Sequence, residues 1–210
     1  MKCSEICALI EQEYGTEYAC DWDNVGLLAG RSTKEVKKIL LSLDATDEVV
    51  RMAVEGGYDM LITHHPMLFS AIKRVTDQDM NGRRLLELIH NDISYYAMHT
   101  NYDTRGMADL AARLLGLTEC TVLEEVKDGE GIGRVGKLPH PMTLRECGEQ
   151  VKVAYGIPNV RLFGDPDTQV SLAGICPGAG KSTMPLALGF GCDVYITGDI
   201  DHHTGIDAVD

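Results

Sequence analysis

The sequence predicts an α/β fold, and three observations carry that reading. Segments with helical spacing of apolar residues alternate along the chain with short continuous apolar runs of strand length. A length of 210 residues and a mass of 23.0 kDa can bury a core as one compact domain or as two small intertwined lobes. An internal echo repeats one device: Gly57-Tyr58-Asp59-Met60-Leu61-Ile62-Thr63 returns in outline as Gly191-Cys192-Asp193-Val194-Tyr195-Ile196-Thr197. Each copy leaves a helix through glycine, enters a strand through aspartate and leaves it at Ile-Thr, which points to repeated β-α-β units. Both polar tips then emerge at carboxyl ends of strands, where open α/β sheets place their ligand sites.

Taken in order, residues 4–14 put Ile6, Leu9, Ile10 and Tyr14 on one helical face, and Gly15 ends that helix. Residues 20–30 read as a loop. The run 36–44 reads as a buried strand, Thr46 caps a helix over 47–55, Gly56 and Gly57 close it, and 59–63 forms a second strand. A helix over 83–91, a strand over 93–98 and a helix over 107–117 continue the alternation, with Gly116 as the last helix's stop. Residues 127–141 then hold four Gly and two Pro without apolar periodicity. That stretch is read as the junction between a first α/β lobe, 1–126, and a second, 142–210. Within the second lobe Thr143 and Glu146 stand at capping-box spacing and open a helix to about Tyr155, followed by short strands near 160–163 and 169–175.

Composition narrows the function classes. With 44 % hydrophobic and 24 % charged residues, disordered and collagen-like classes are excluded. No apolar run approaches the roughly 20 residues of a membrane-spanning helix. The first fifteen residues carry Glu5, Glu11 and Glu13 where a signal peptide would carry cations, so a cytoplasmic protein without a membrane partner is expected. A net charge of −13 with no local basic cluster argues against nucleic-acid partners. Seven cysteines with no C-x-x-C pair read as reduced, packed thiols rather than as a zinc site or a nucleophile.

The chemistry concentrates at Thr63-His64-His65-Pro66, directly after an apolar strand. Adjacent residues on a regular strand point to opposite faces, so the two imidazoles share a task only if the backbone turns there, and Pro66 favours such a turn. They stand either as a hydrogen-bonded pair at a strand end or as ligands to one or two divalent cations. A second strand tip, His99-Thr100-Asn101-Tyr102-Asp103, would bring an imidazole and a carboxylate to the same sheet edge. Asp103 is the candidate oxygen ligand. His99 is the candidate catalytic residue, orienting Asp103 or a water; the alternative is that both cap the following helix. A third tip, Thr197 to His203, has ligand-like composition, but a helix beginning there would use Asp199 as its cap, and His203 is placed near the site rather than on a metal. His90 and His140 receive no role. The Pro177-to-Thr183 stretch misses the Gly-x-x-x-x-Gly-Lys-Ser/Thr phosphate loop by one position, because Ile175 stands where the first glycine is required.

Several spaced motifs together resemble a known family. They are Trp22-Asp23-Asn24-Val25-Gly26-Leu27, the strand Asp59 to Thr63 with His64-His65-Pro66-Met67-Leu68-Phe69, His99-Thr100-Asn101-Tyr102-Asp103, Gly131-Ile132-Gly133-Arg134-Val135-Gly136, and Asp193 to Asp199 ending at His203. The chain resembles, along essentially its whole length, the dinuclear-metal proteins known as type 2 GTP cyclohydrolase I homologues, also described as NGG-interacting-factor-like. The resemblance implies a three-layer α/β fold of two intertwined lobes, a toroidal homohexamer and two divalent ions per subunit, of zinc, iron, manganese or cobalt. It implies His64, His65 and Asp103 as metal ligands and hydrolytic opening of the guanine ring of GTP as the reaction. It also implies a closing Gly-His-x-x-x-Glu motif, which does not occur in residues 1–210, so the remaining ligand positions are expected to lie on a further segment or to be filled by water. Two readings of function result: a metal-dependent hydrolase of a small-molecule substrate, or a non-catalytic metal-binding scaffold acting through protein partners.

Overall fold

Two four-stranded mixed sheets organise the chain, one in each of its two units, Met1–Tyr102 and Asp103–Asp210. The computed structural model describes residues 1–209. In the first unit, β1 (Gly26–Ala29), β2 (Ile39–Ser42), β3 (Met60–Thr63) and β4 (Ser94–Ala97) lie in the order β1-β4-β3-β2. Strands β2, β3 and β4 are parallel, with Leu41 opposite Ile62 and Ile62 opposite Tyr96, and β1 runs antiparallel to β4. The central pair, β3 and β4, is buried at every position, which is why both read as unbroken apolar runs.

Helices cover both faces of this sheet. Val50 and Ala53 of α2 (Asp47–Glu55) and Leu85 and Leu88 of α3 (Met80–His90) share a core with Leu61 and Tyr95. Cys3 and Cys7 of α1 (Cys3–Glu13) share the opposite one with Met60, Ile62 and Tyr96. One turn of helix, α4 (Thr100–Tyr102), closes the unit.

The second unit opens with a π-helical turn, Asp103–Met107, and continues through α5 (Ala108–Leu115), β5 (Thr118–Lys127), β6 (Glu130–Thr143), α6 (Leu144–Tyr155), β7 (Gln169–Ala179), α7 (Met184–Gly189), β8 (Val194–Asp199) and α8 (His202–Asp207). Its sheet order is β5-β6-β7-β8, antiparallel except for the parallel pair β7-β8. The expected caps form as read: Thr46 accepts from Val49 N–H, Gly116 adopts a left-handed conformation after α5, and Thr143 and Glu146 close a capping box on α6.

The sequence echo extends to its hydrogen bonds. Gly57 and Gly191 both have positive φ, +60° and +73°, just before Asp59 and Asp193. The Asp59 carboxylate accepts the Lys37 and Lys38 N–H groups at 2.8 and 2.9 Å, at the entrance to β2. Asp193 accepts the Ser171 and Leu172 N–H groups at 2.8 and 2.9 Å, near the entrance to β7. Each aspartate thereby ties the start of its own strand to the start of the parallel neighbour, and these N–H donors hold both carboxyls below the usual carboxylate range.

Because Asp59 is held low by folding, its stabilisation is complete above the ordinary carboxylate pKa and is lost as pH falls through the lower folded value. We expect Asp59→Asn to cost about 1 kcal/mol at pH 7. The gap from wild type should close in acid, below the ordinary Asp pKa of about 3.9, in denaturant titrations run across pH. A gap unchanged from neutral to strongly acid pH would refute the charge-assisted clamp.

Several expectations are corrected. The presumed loop 20–30 contains β1, and β2 lies at a sheet edge with Leu41 71 % exposed rather than buried. The stretch 127–141, read as a junction between lobes 1–126 and 142–210, is the β5-β6 turn and most of β6, while the two compact units divide between Tyr102 and Asp103. Its glycines answer to close packing: a Cβ on Gly131 would stand 1.9 Å from the Glu124 carbonyl oxygen, and one on Gly133 2.7 Å from that of Ile175. Residues 160–163 form no strand. Asp199 belongs to β8, and the cap of α8 is Asp201, which accepts from Thr204 N–H.

Candidate metal centre

Three imidazoles meet beyond the carboxyl ends of β3 and β4. His64 and His65 follow Thr63 where the backbone bends out of β3, and His99 stands two residues past β4. The bend overrides strand alternation: the His64 and His65 ring centroids are 4.9 Å apart, and His99 lies 5.1 and 5.7 Å from them. Ligand nitrogens from the three rings all lie within 4.8 Å of one another. Thr63 Oγ1 holds the bend by donating to the His65 carbonyl at 2.8 Å. Buried Tyr95 anchors the backbone just beyond Pro66, its hydroxyl accepting the Met67 N–H at 2.7 Å.

Each ring is backed by an oxygen. His64 Nδ1 faces the Met98 carbonyl at 3.0 Å, His65 Nδ1 faces Asp44 Oδ1 at 2.8 Å, and His99 Nδ1 faces Asp23 Oδ1 at 2.9 Å. A carbonyl or an ionised carboxylate only accepts, so each Nδ1 must carry a proton, which leaves Nε2 as the position for a lone pair. Burial pushes the His64 imidazole down to about 4, against the pull of the Met98 carbonyl, so His64 is neutral at pH 7.

Asp23 has a fully buried side chain. It accepts from His99 Nδ1, from Thr100 N–H at 3.0 Å, from Thr100 Oγ1 at 2.5 Å and from Asn24 N–H at 2.8 Å. Burial alone would raise this carboxyl; the donors, His99 first and then Thr100, outweigh it and hold the group at about 2. A buried, ionised carboxylate therefore fixes the orientation of His99.

The expected site residues divide between the units. His64, His65 and His99 come together in the first, with His99, expected as a catalytic or orienting group, a full member of the cluster. Asp103 opens the π-helical turn that begins the second. His202 and His203 form a pair at the start of α8, with ring centroids 5.7 Å apart. Lys181, the lysine of the imperfect phosphate loop, pairs with Asp201 at 2.7 Å. Burial raises the Cys7 thiol to about 12 and lifts those of Cys147 and Cys176, in keeping with packed thiols rather than nucleophiles. Sequence reasoning assigned no role to Asp23 or Asp44. A signal for Asp44 was present, since it lies just past the carboxyl end of β2, beside the strand that delivers the histidines.

Three imidazoles with Nδ1 held by an oxygen and Nε2 left as the donor fit a borderline divalent cation, and they supply the three protein ligands usual for one catalytic zinc-type ion. No helix among the described residues is long and apolar enough to cross a membrane.

A family model described as Duf34/NIF3 (NGG1p interacting factor 3) matches residues 1–210. A Clostridium perfringens protein named "GTP cyclohydrolase 1 type 2 homolog" is 36 % identical over 207 residues, spanning 97 % of this chain and 79 % of its own. A protein of the same name from Clostridium acetobutylicum is 34 % identical over 209 residues, spanning 97 % and 78 %. The crystal structure of a Bacillus cereus protein related to NIF3 has the same fold, with a TM-score of 0.92 at 24 % identity over 99 % of this chain and 85 % of that one. Matched over its whole length by the family model and at more than a third identity by a relative, the chain belongs to the Duf34/NIF3 family.

Proposed function

We propose that this protein holds two divalent ions and is a metal-dependent hydrolase of a small molecule, the type of activity that its relatives' name carries. The observation supporting this reading is the oxygen behind every Nδ1 of the cluster, which turns three histidines into preset nitrogen donors. His64 and His65 are the protein ligands from β3, and Asp103 is the carboxylate that a second ion needs. When bound, such ions supply Lewis acidity, polarising a substrate oxygen and easing the deprotonation of water. His99 offers its Nε2 lone pair beside them, because Asp23 keeps the ring proton on Nδ1 and its charge balances that of a bound ion. A homohexamer and a cytoplasmic setting belong to the same reading.

Elemental analysis of the purified protein, combined with turnover assays on GTP and on generic phosphodiester and amide substrates, tests it. We expect bound zinc, iron, manganese or cobalt, and chelator-sensitive turnover. In His65→Ala that turnover should fall by at least the roughly 10–100-fold typical of lost outer-shell partners, since a direct ligand is removed. Full metal occupancy with no turnover on any substrate would instead favour a non-catalytic scaffold.

A further inference from the structure

The motif Gly131 to Gly136 puts a cation inside the second unit. Arg134 stands on β6, opposite Val122 of β5 and Ile175 of β7, and is buried. Its Nη1 donates to the Gly131 and Gly133 carbonyls, both at 2.8 Å, and its Nε donates to Asp109 Oδ1 at 2.6 Å. Glu130 Oε2 lies 4.0 Å from the same guanidinium, and Glu130 Oε1 lies 3.8 Å from Arg105 Nε. Arg105 belongs to the π-helical turn Asp103–Met107, and Asp109 to the first turn of α5, which follows it. Arg105, Glu130, Arg134 and Asp109 thus alternate in charge and tie the turn to β6, from its middle and from just past its end.

From this arrangement we propose that Arg134 is a positioning residue, which clamps the π-helical turn and thereby sets the direction of the Asp103 carboxylate toward a bound divalent ion. The inference deepens the two-ion reading and rests on it for Asp103 as a ligand. A π-helical turn closes i→i+5 bonds in place of i→i+4, so it holds one residue more than an α-helical turn, and it is rare. If the turn relaxed to α-helix, the chain before it would slip by one residue, and Asp103 would swing by about 100° around the axis of α5. That swing carries a carboxylate oxygen far beyond the roughly 0.2 Å by which metal-ligand distances vary. The clamp suits arginine, because a planar guanidinium serves Asp109 and two carbonyls at once, where an ammonium is a single point charge. Desolvation offsets most of the attraction within a buried ion pair, so the clamp contributes conformation more than stability.

Calorimetric titration of zinc, and separately of manganese, into the full chain tests this, with thermal denaturation alongside. The reference is Asp103→Ala, which should lose the second binding event and keep the first. Arg134→Met is expected to weaken that second event roughly 10–100-fold, the usual effect of removing the partner behind a ligand, and to leave the first unchanged. Arg134→Lys should fall between Arg134→Met and wild type. The Asp109 side chain is half-exposed, so Asp109→Asn breaks the clamp without emptying the core, and it should weaken the second event by a smaller factor. If Arg134→Met does not fold, Asp109→Asn decides alone. Val151→Ala, in the core of the same unit, is the control: it should lower the melting temperature and leave both events at wild-type affinity. An undiminished second event in Arg134→Met and Asp109→Asn overturns the proposal while the two-ion reading stands. So does a loss in Val151→Ala as large as in Arg134→Met, which would show a general loosening of the unit. A single event in wild type, or both events retained in Asp103→Ala, removes Asp103 from the ligands, and the reading falls together with the inference.

Discussion

Replacing Asp23 by alanine is expected to destabilise the first unit by about 3–5 kcal/mol, because the donors of His99, Thr100 and Asn24 lose a shared, buried acceptor. The same change should weaken divalent-metal binding roughly 10–100-fold, the usual cost of removing the partner that orients a ligating imidazole. Asp23→Asn separates the two effects. An amide keeps the shape and one acceptor oxygen, so thermal denaturation should show a smaller loss. Its NH2 group, however, can donate to His99 Nδ1 and move the ring proton to Nε2, which spoils the lone pair the site needs. Calorimetric titration of zinc into the three proteins checks this. Equal affinity in wild type and Asp23→Asn would show that the carboxylate has no hold on the site.

Gly131→Ala is the largest expected change away from the site. The new methyl would meet the Glu124 carbonyl oxygen at 1.9 Å and Val122 Cγ1 at 2.6 Å, and Gly131 is directly paired with Glu125 in the β5-β6 ladder. The backbone oxygen cannot retreat without opening that ladder, so a cost of about 3 kcal/mol is expected, seen as a melting temperature roughly 10 °C lower. Gly57→Ala is the control: its φ is +60° but nothing stands within 4 Å of the added carbon, so only the conformational cost of about 1 kcal/mol applies. Similar losses at the two positions would refute the packing explanation for the glycine-rich strand.

The contrast between these glycines shows how much of the fold was legible in the sequence. Local signals were readable wherever a residue acts on its own neighbours: Thr46 and Thr143 as caps, Gly116 as a stop, and the fully buried β3 and β4 as apolar runs. The Asp59 and Asp193 echo was visible as spelling, but its meaning as a pair of strand clamps needed the partner strands. The glycines of β6 were misread because a glycine that makes room for another strand looks the same as one that makes a linker flexible.

By itself the sequence determined the α/β class, the helix ends and the positions of His64, His65 and His99, because periodicity, caps and strand tips are short-range properties of a chain. Only the tertiary structure decided that these three rings converge, that Asp23, 76 positions before His99, would hold one of them, and that Arg134 would lie buried against Asp109. The reason is physical: a buried carboxylate or a buried guanidinium is fixed by what faces it across space, and a linear pattern records only what lies next to it in the chain.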